Sequence, residues 1–274
     1  MGTFNAIFTS VFDVLLAPFG HAHAWFDLLL WPVIAGVVAL LVYKLVSNQA
    51  GIARAKSRIQ VHLLEVVLFR DDLRVVLSAT AKALAYNVAY LAYNIVPMAV
   101  MFAPMTAILV QIVSHYAYAP LPVGETAVMV ATLDKAAAPG VAAREVEVAL
   151  SPGLALDAPP VRTADGAVAV RLRLVEAGDH TVTFTVGGRS EAKSVAVGGP
   201  PRKVSPLRTK SVEALLYPAE PVPAADSPFA SITLDRRDQP LGPFPAGEGG
   251  ILGWFFGFSL LAGFVLKGRF GVTL

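Results

Sequence analysis

SRIQVHLLEVVLFRDDLRVVL, Ser57 to Leu77, lies between two of the most apolar parts of the chain and carries Arg58, Arg70 and Arg74 with carboxylates at Glu65, Asp71 and Asp72. Its apolar residues Ile59, Leu63, Val66 and Val67 recur at helical spacing and predict one amphipathic helix from roughly Gly51 to Phe69. The Asp71–Asp72 pair reads better as the N-cap of a second helix, with a favourable first-turn charge, than as a carboxylate pair for acid–base work. That second helix can run directly into the apolar sequence that follows. The stretch therefore predicts a charged two-helix arm, and its basic residues orient everything on either side of it.

The chain has 274 residues, of which 55% are hydrophobic and 15% charged, and its mean hydropathy is +0.60. That is more apolar and less charged than an average soluble domain, so long apolar runs are tested first as membrane spans. Three qualify: 25–46 (WFDLLLWPVIAGVVALLVYKLV), 87–115, and the shorter 250–266 (GILGWFFGFSLLAGFVL). The first has Asp27 near its outer end, Pro32 near its start, and Trp25, Trp31 and Tyr43 near its ends. Residues 1–43 contain no Lys or Arg, whereas Lys44, Arg54, Lys56, Arg58, Arg70, Arg74 and Lys82 lie between the first two spans and Lys267 and Arg269 follow the third. The positive-inside rule then predicts a membrane protein with its N-terminus and the 115–249 region outside, and with the 47–86 arm and the 267–274 tail in the cytoplasm. A net charge of +2 gives no footing for nucleic acid, and the lipid bilayer is the first partner.

The N-terminal segment 1–24 lacks a basic region and a cleavage site, so it does not read as a secretory signal. Phe4, Ile7, Phe8, Val11, Phe12, Leu15 and Leu16 instead form one apolar helix face ended by Pro18 and Gly20, which predicts a helix lying on the outer leaflet.

From Leu121 the pattern changes to period two. TAVMVATL, REVEVAL, GAVAVRLRLV, HTVTFTVGG and AKSVAVGG alternate or run β-branched between Gly, Pro and Asp turn signals. They predict a small antiparallel β-sandwich over 120–199, and AGDHTVTFTVGGRSEAKSVAVGG resembles the closing strands of bacterial immunoglobulin-like domains. The fold class is thus membrane α-helical, three transmembrane helices plus amphipathic helices, with an inserted all-β immunoglobulin-like sandwich. The Pro-rich segment 200–249 predicts neither a continuous helix nor a central strand. Within it SVEALLYP is apolar enough to be held, ASITLD can pair as a short strand, and Arg202, Lys203, Arg208 and Lys210 form a loose basic cluster that reads as solvated loop.

No hydrolase, zinc-protease, P-loop or dinucleotide signature is present, and without cysteine there is no thiolate chemistry. The sequence gives no catalytic residue, cofactor or metal, and His21 and His23 read as a solvated pair. The second span is more informative. Asn87 and Asn94 are seven residues apart and share a helix face, and Tyr86, Tyr93, Pro97, Pro104 and Gln111 fall on the neighbouring stripe. Amides in a membrane helix need partners, so Asn87, Asn94 and Gln111 predict either interhelical contacts or a polar groove open to the cytoplasm. Gly253, Gly257 and Gly263 in the third span, spaced with Ser259, predict close helix packing.

YKLVSNQAGIARAKSRIQVHLLEVVLFRDDLRVVL, YNVAYLAYNIVPMAVMFAPMTAILVQIVSHYAYAPLPVGE and FVLKGRFGVTL together resemble a family of uncharacterised bacterial three-span membrane proteins. More distantly, the layout is similar to the YidC/Oxa superfamily of membrane protein insertases: an outside N-terminus, a first span, a charged cytoplasmic hairpin, then spans forming a groove. The resemblance implies a protein that binds other membrane proteins and helps place or assemble them. Lys44 is the basic residue nearest to such a groove, and Arg58, Glu65, Arg70, Asp71, Asp72 and Arg74 would meet the client. The alternative is a non-catalytic accessory subunit of a larger membrane complex that docks a partner through the β-domain.

Overall fold

The apolar run around Trp25 forms helix α1, Ala24–Val46, with Pro32 inside it. This element and those below come from a computed structural model, which describes residues 10–15, 24–137 and 139–272. Residues 10–15 are helical, with Phe12 buried and Val11 exposed. Phe4, Ile7, Phe8, Leu16, His21 and His23 lie outside the described residues.

After α1 the chain breaks at Ser47–Asn48. The Asn48 side chain accepts from the Gly51 amide at 2.9 Å and starts helix α2, Gln49–Leu68. A turn follows, closed by the Asp72 amide donating to the Phe69 carbonyl. Asp72 is the N-cap: its Oδ1 accepts from the amides of Arg74 (3.0 Å) and Val75 (3.3 Å), satisfying two donors that the first turn of a helix leaves free. Helix α3 then runs unbroken over Leu73–Tyr116, 44 residues, through Pro97 and Pro104. The elbow read from Asp71–Asp72 is thus present, and arm and second span share one helix.

Helix α4, Gly247–Phe270, starts before and ends after the apolar run 250–266, taking in Lys267 and Arg269 from the predicted tail. Polar residues continue a helix as well as apolar ones do, and what stops it is Gly271. At φ +64 it lets its own amide reach the Gly268 carbonyl while the Val272 amide reaches that of Lys267, the paired closure of a Schellman end. The helices α1, α3 and α4 are each long and apolar enough to cross a membrane.

The chain divides into two compact units. One comprises residues 29–108 with 255–274, the other residues 1–28 with 109–254. Among its described residues the second unit contains nine strands: β1 (Thr126–Leu133), β2 (Glu147–Leu150), β3 (Leu154–Leu156), β4 (Val161–Arg162), β5 (Ala167–Leu174), β6 (Gly178–Val186), β7 (Arg189–Val197), β8 (Leu207–Thr209) and β9 (Phe229–Leu234). The larger sheet has the order β3-β5-β1-β9-β8, with β4 also paired to β5, and the smaller is β2-β6-β7. All the ladders are antiparallel. Alternate residues of both sheets, among them Met129, Val170, Leu172 and Ile232 from one and Val182, Phe184 and Val195 from the other, are buried in a single apolar cluster. The β6–β7 hairpin turns on Gly187–Gly188, both at positive φ, the backbone that a two-residue hairpin loop with the right twist requires.

Two expectations are corrected here. The β-domain does not end at 199, because β8 and β9 come from the Pro-rich segment and β9 pairs directly with β1. β9 carries no proline; Ile232 and Leu234 alternate into the core and Phe229 joins them across a shift in register with β1, so its own apolar pattern outweighs the composition of its surroundings. For the same reason β6 and β7 do not close the domain: they form the smaller sheet with β2, and the last strand to join is β9.

Candidate functional site

In the helical unit, α2 and the start of α3 pack as an antiparallel pair. The buried residues of α2 are Gly51, Ile52, Ala55 and His62; on α3 Ala79 and Ala83 are buried, and Tyr86 and Tyr90 are half-buried. His62 stacks on Tyr86 with ring centroids 5.6 Å apart, and its Nδ1 lies 2.8 Å from Glu65 Oε2. Ile52 joins Leu40, Tyr43 and Val272 in a small cluster flanked by Tyr90 and Met101. The seam is thus made of small residues and rings. The larger apolar side chains of the arm, Leu63, Leu64, Val67, Leu68, Phe69, Leu73 and Leu77, are 54–73% exposed. The amphipathic reading of α2 located the helix and passed over His62, whose three-residue spacing to Glu65 was visible in the sequence.

The other arm residues fall into separate places. Arg58 is exposed and lines a groove between α2 and α3. Arg70, Asp71 and Arg74 are exposed at the elbow, while Asp72 is occupied in capping. Lys44 is exposed near the end of α1.

The three amides do not form one polar stripe. Asn94 is half-buried: its Oδ1 accepts from the Tyr43 hydroxyl at 2.5 Å and its Nδ2 donates to the Tyr90 carbonyl at 2.7 Å, so it ties α3 to α1. Asn87 is exposed. Gln111 belongs to the other unit, where it is buried and its Oε1 accepts from Lys203 Nζ at 3.4 Å. One helix can carry three amides into three environments because α3, at 44 residues, is longer than any one neighbour.

Between α1, α3 and α4 the helical unit holds an apolar cavity of about 280 Å³. Gly36, Ala39, Leu40 and Tyr43 of α1, Met101 and Met105 of α3, and Phe256, Ser259, Leu260, Gly263 and Phe264 of α4 line it. Sequence reasoning missed the methionines, although Met98, Met101 and Met105 recur at helical spacing. Gly36 makes the close helix contact: a Cβ there would stand 2.5 Å from the Ser259 carbonyl oxygen and 3.0 Å from the Ala262 Cβ. By contrast, a Cβ on Gly253, Gly257 or Gly263 meets nothing within 4 Å among the described residues. The packing predicted for those three is not made within the described chain, and Gly263 borders the cavity instead.

In the other unit the loose basic cluster turns out to be fully paired. Arg202 meets Asp179 at 2.8 Å, Lys203 meets Asp13 at 3.2 Å, Arg208 meets Glu191 at 2.9 Å, and Lys210 meets Asp134. Lys193, fully buried, donates to Glu220 at 2.9 Å and to the Ser205 carbonyl at 2.7 Å. Burial pulls its ammonium down to about 8 against the opposing pull of Glu220. The Arg208 and Lys193 contacts pin the 200–236 segment onto β7, while the other pairs tie it to β6, to the 10–15 helix and to the turn after β1, a structural role that leaves none of the four cluster residues free. Asp27, buried near the start of α1, accepts from the Tyr116 hydroxyl, and Trp254 Nε1 donates to the Leu28 carbonyl at 2.9 Å.

Among the described residues no group of three or more His, Cys, Asp or Glu side chains could hold a metal ion. Comparison with protein-family models, with curated proteins and with solved structures gave no match to this chain.

Proposed function

We propose that the chain is a bacterial inner-membrane protein with an insertase-like core, which receives apolar segments of other membrane proteins and assists their placement or assembly. The observation that carries this reading is the cavity between α1, α3 and α4. Its lining combines three aromatic rings, two methionines and two glycines, with Ser259 and the Asn94-bonded hydroxyl of Tyr43 among its few polar groups. Methionine is unbranched and polarizable and repacks around side chains of different shape, which suits a site that must accept many apolar sequences. The exposed apolar side chains of the arm supply a second surface for such segments before they enter. In this reading the N-terminus and the β-domain, an immunoglobulin-like sandwich, lie outside, and the arm and the C-terminus lie in the cytoplasm.

A photocrosslinking residue in place of Met101 or Met105 tests this. The reading expects capture of many newly made membrane proteins, and it expects Gly263→Leu, at a cavity-lining position where an added Cβ meets nothing within 4 Å, to abolish capture while the protein stays folded. No capture, or capture that G263L leaves unchanged, would sink it. Capture of one stoichiometric partner would favour the accessory-subunit reading, for which the open small-residue face at Gly253 and Gly257 is the specific support.

A further inference from the structure

A second groove, of about 280 Å³, opens between α2 and α3 and is lined by Gly51, Arg54, Ala55, Arg58, Tyr86, Ala89 and Tyr93. The geometry points to a binding site there for a phosphate group, supplied by the headgroup of an anionic phospholipid.

Four features of the groove converge on an anion. Arg54 and Arg58 are one helical turn apart on α2, so their guanidinium groups can bracket one ligand. Arg54 Nε donates to the Ala50 carbonyl at 3.2 Å, which leaves its terminal nitrogens free, and Arg58 has no partner among the described residues. No carboxylate lines the groove. Glu65, the acidic residue of α2, is taken by His62. The groove also lies in the first turns of α2, the positive end of a 20-residue helix dipole.

Across from the arginines stand Tyr86 and Tyr93, two turns apart on α3. Tyr86 is fixed by its stacking on His62, and Tyr93 packs against Gly51, with its Cζ 3.0 Å from where a Cβ would be. Their hydroxyls make no hydrogen bond among the described residues. The floor of Gly51, Ala55 and Ala89 keeps the two walls close without filling the space between them. A guanidinium pair facing two phenols matches a phosphate oxygen set better than a single carboxylate, because planar forks bind such oxygens two at a time.

The height of the groove favours a lipid as the source. Tyr86–Tyr93 lie where the charged arm passes into the apolar part of α3, the level at which headgroups stand if α3 crosses a bilayer. The site needs only that the helices are spans, and client handling can fail without affecting it.

Native mass spectrometry of the full-length protein in neutral detergent, titrated with phosphatidylglycerol or phosphatidylcholine, tests the site. We expect retention of phosphatidylglycerol over phosphatidylcholine, weakened at least ~10-fold by R54Q/R58Q and unchanged by R70Q/R74Q, which removes the same charge from the elbow. Equal retention of the two lipids, or equal loss in the two double variants, overturns the proposal. Displacement of bound phosphatidylglycerol by inorganic phosphate would keep the anion site and overturn its assignment to a lipid. Should R54Q/R58Q lose helicity, R54K/R58K decides: it keeps the charge but not the forks, and retention equal to the wild type refutes guanidinium recognition.

Discussion

Gly36 and Gly263 sit on helices that face the same cavity, yet alanine should affect the two positions in opposite ways. At Gly36 the new methyl would stand 2.5 Å from the Ser259 carbonyl oxygen, about 0.9 Å inside the 3.4 Å at which ordinary contact begins. The obstacle is backbone, which cannot swing aside as a side-chain tip would, and the Ala262 Cβ at 3.0 Å closes the alternative direction. Overpacking of this kind costs about 1–3 kcal/mol. At Gly263 the methyl meets nothing within 4 Å, so only the gain from replacing glycine in a helix remains, roughly 0.5–1 kcal/mol. Both variants share that backbone gain, and the difference between them isolates the steric cost, so G36A should be less stable than G263A by about 1–3 kcal/mol. Unfolding in mixed micelles with increasing dodecyl sulfate, followed by helical circular dichroism, measures it. If the two variants agree within about 0.5 kcal/mol, the close approach of α1 to α4 at Gly36 is wrong.

Three further outcomes follow from other contacts. Asp72→Ala should cost about 1 kcal/mol and speed amide exchange at Arg74 and Val75 while leaving the middle of α3 protected; unchanged exchange there would remove Asp72 as the cap. A double-mutant cycle on Tyr43→Phe and Asn94→Ala should show a coupling of about 0.6 kcal/mol, no more than about 1.7; strict additivity would mean that the two side chains do not pair. Lys193 has a pKa lowered to about 8 from 10.5, so between these values the unfolded chain binds more protons than the folded one and stability rises with pH. Lys193→Met should therefore flatten the pH dependence of urea unfolding of the β-sheets over about pH 8 to 9.5, and parallel profiles in variant and wild type would refute the assignment.

Much of the architecture could be read from sequence because it rests on short-range rules. The apolar runs set α1 and α4 to within a few residues, Asp72 announced the elbow through capping chemistry, and TAVMVATL matches β1 at both ends. The larger sheet was harder. β3 and β4 are two or three residues long and exist only because β5 offers them an edge, and β9 was obscured by the prolines around it. The candidate site depended most on long-range contact. Periodicity placed Asn87 and Asn94 on one face, but it cannot say that Tyr43, fifty-one residues away, takes the Asn94 amide and leaves Asn87 outside. The glycines of α4 carried the familiar spacing, while the one that matters, Gly36, has no glycine partner at that spacing and is defined by what α4 brings against it.

The position of β9 also sets a schedule for biosynthesis. β1 lies between β5 and β9, so a chain emerging from the ribosome reaches residue 199 with its hairpins made and one long edge of β1 bare. That edge stays open to any passing strand until Leu234 has emerged, by which point α4 is only a dozen residues behind. Completion of the β-sheets and arrival of the last apolar helix are therefore nearly simultaneous events. A soluble fragment cut at the glycines after β7 would keep the exposed edge permanently and should aggregate, whereas one extended through Leu234 carries its own cover.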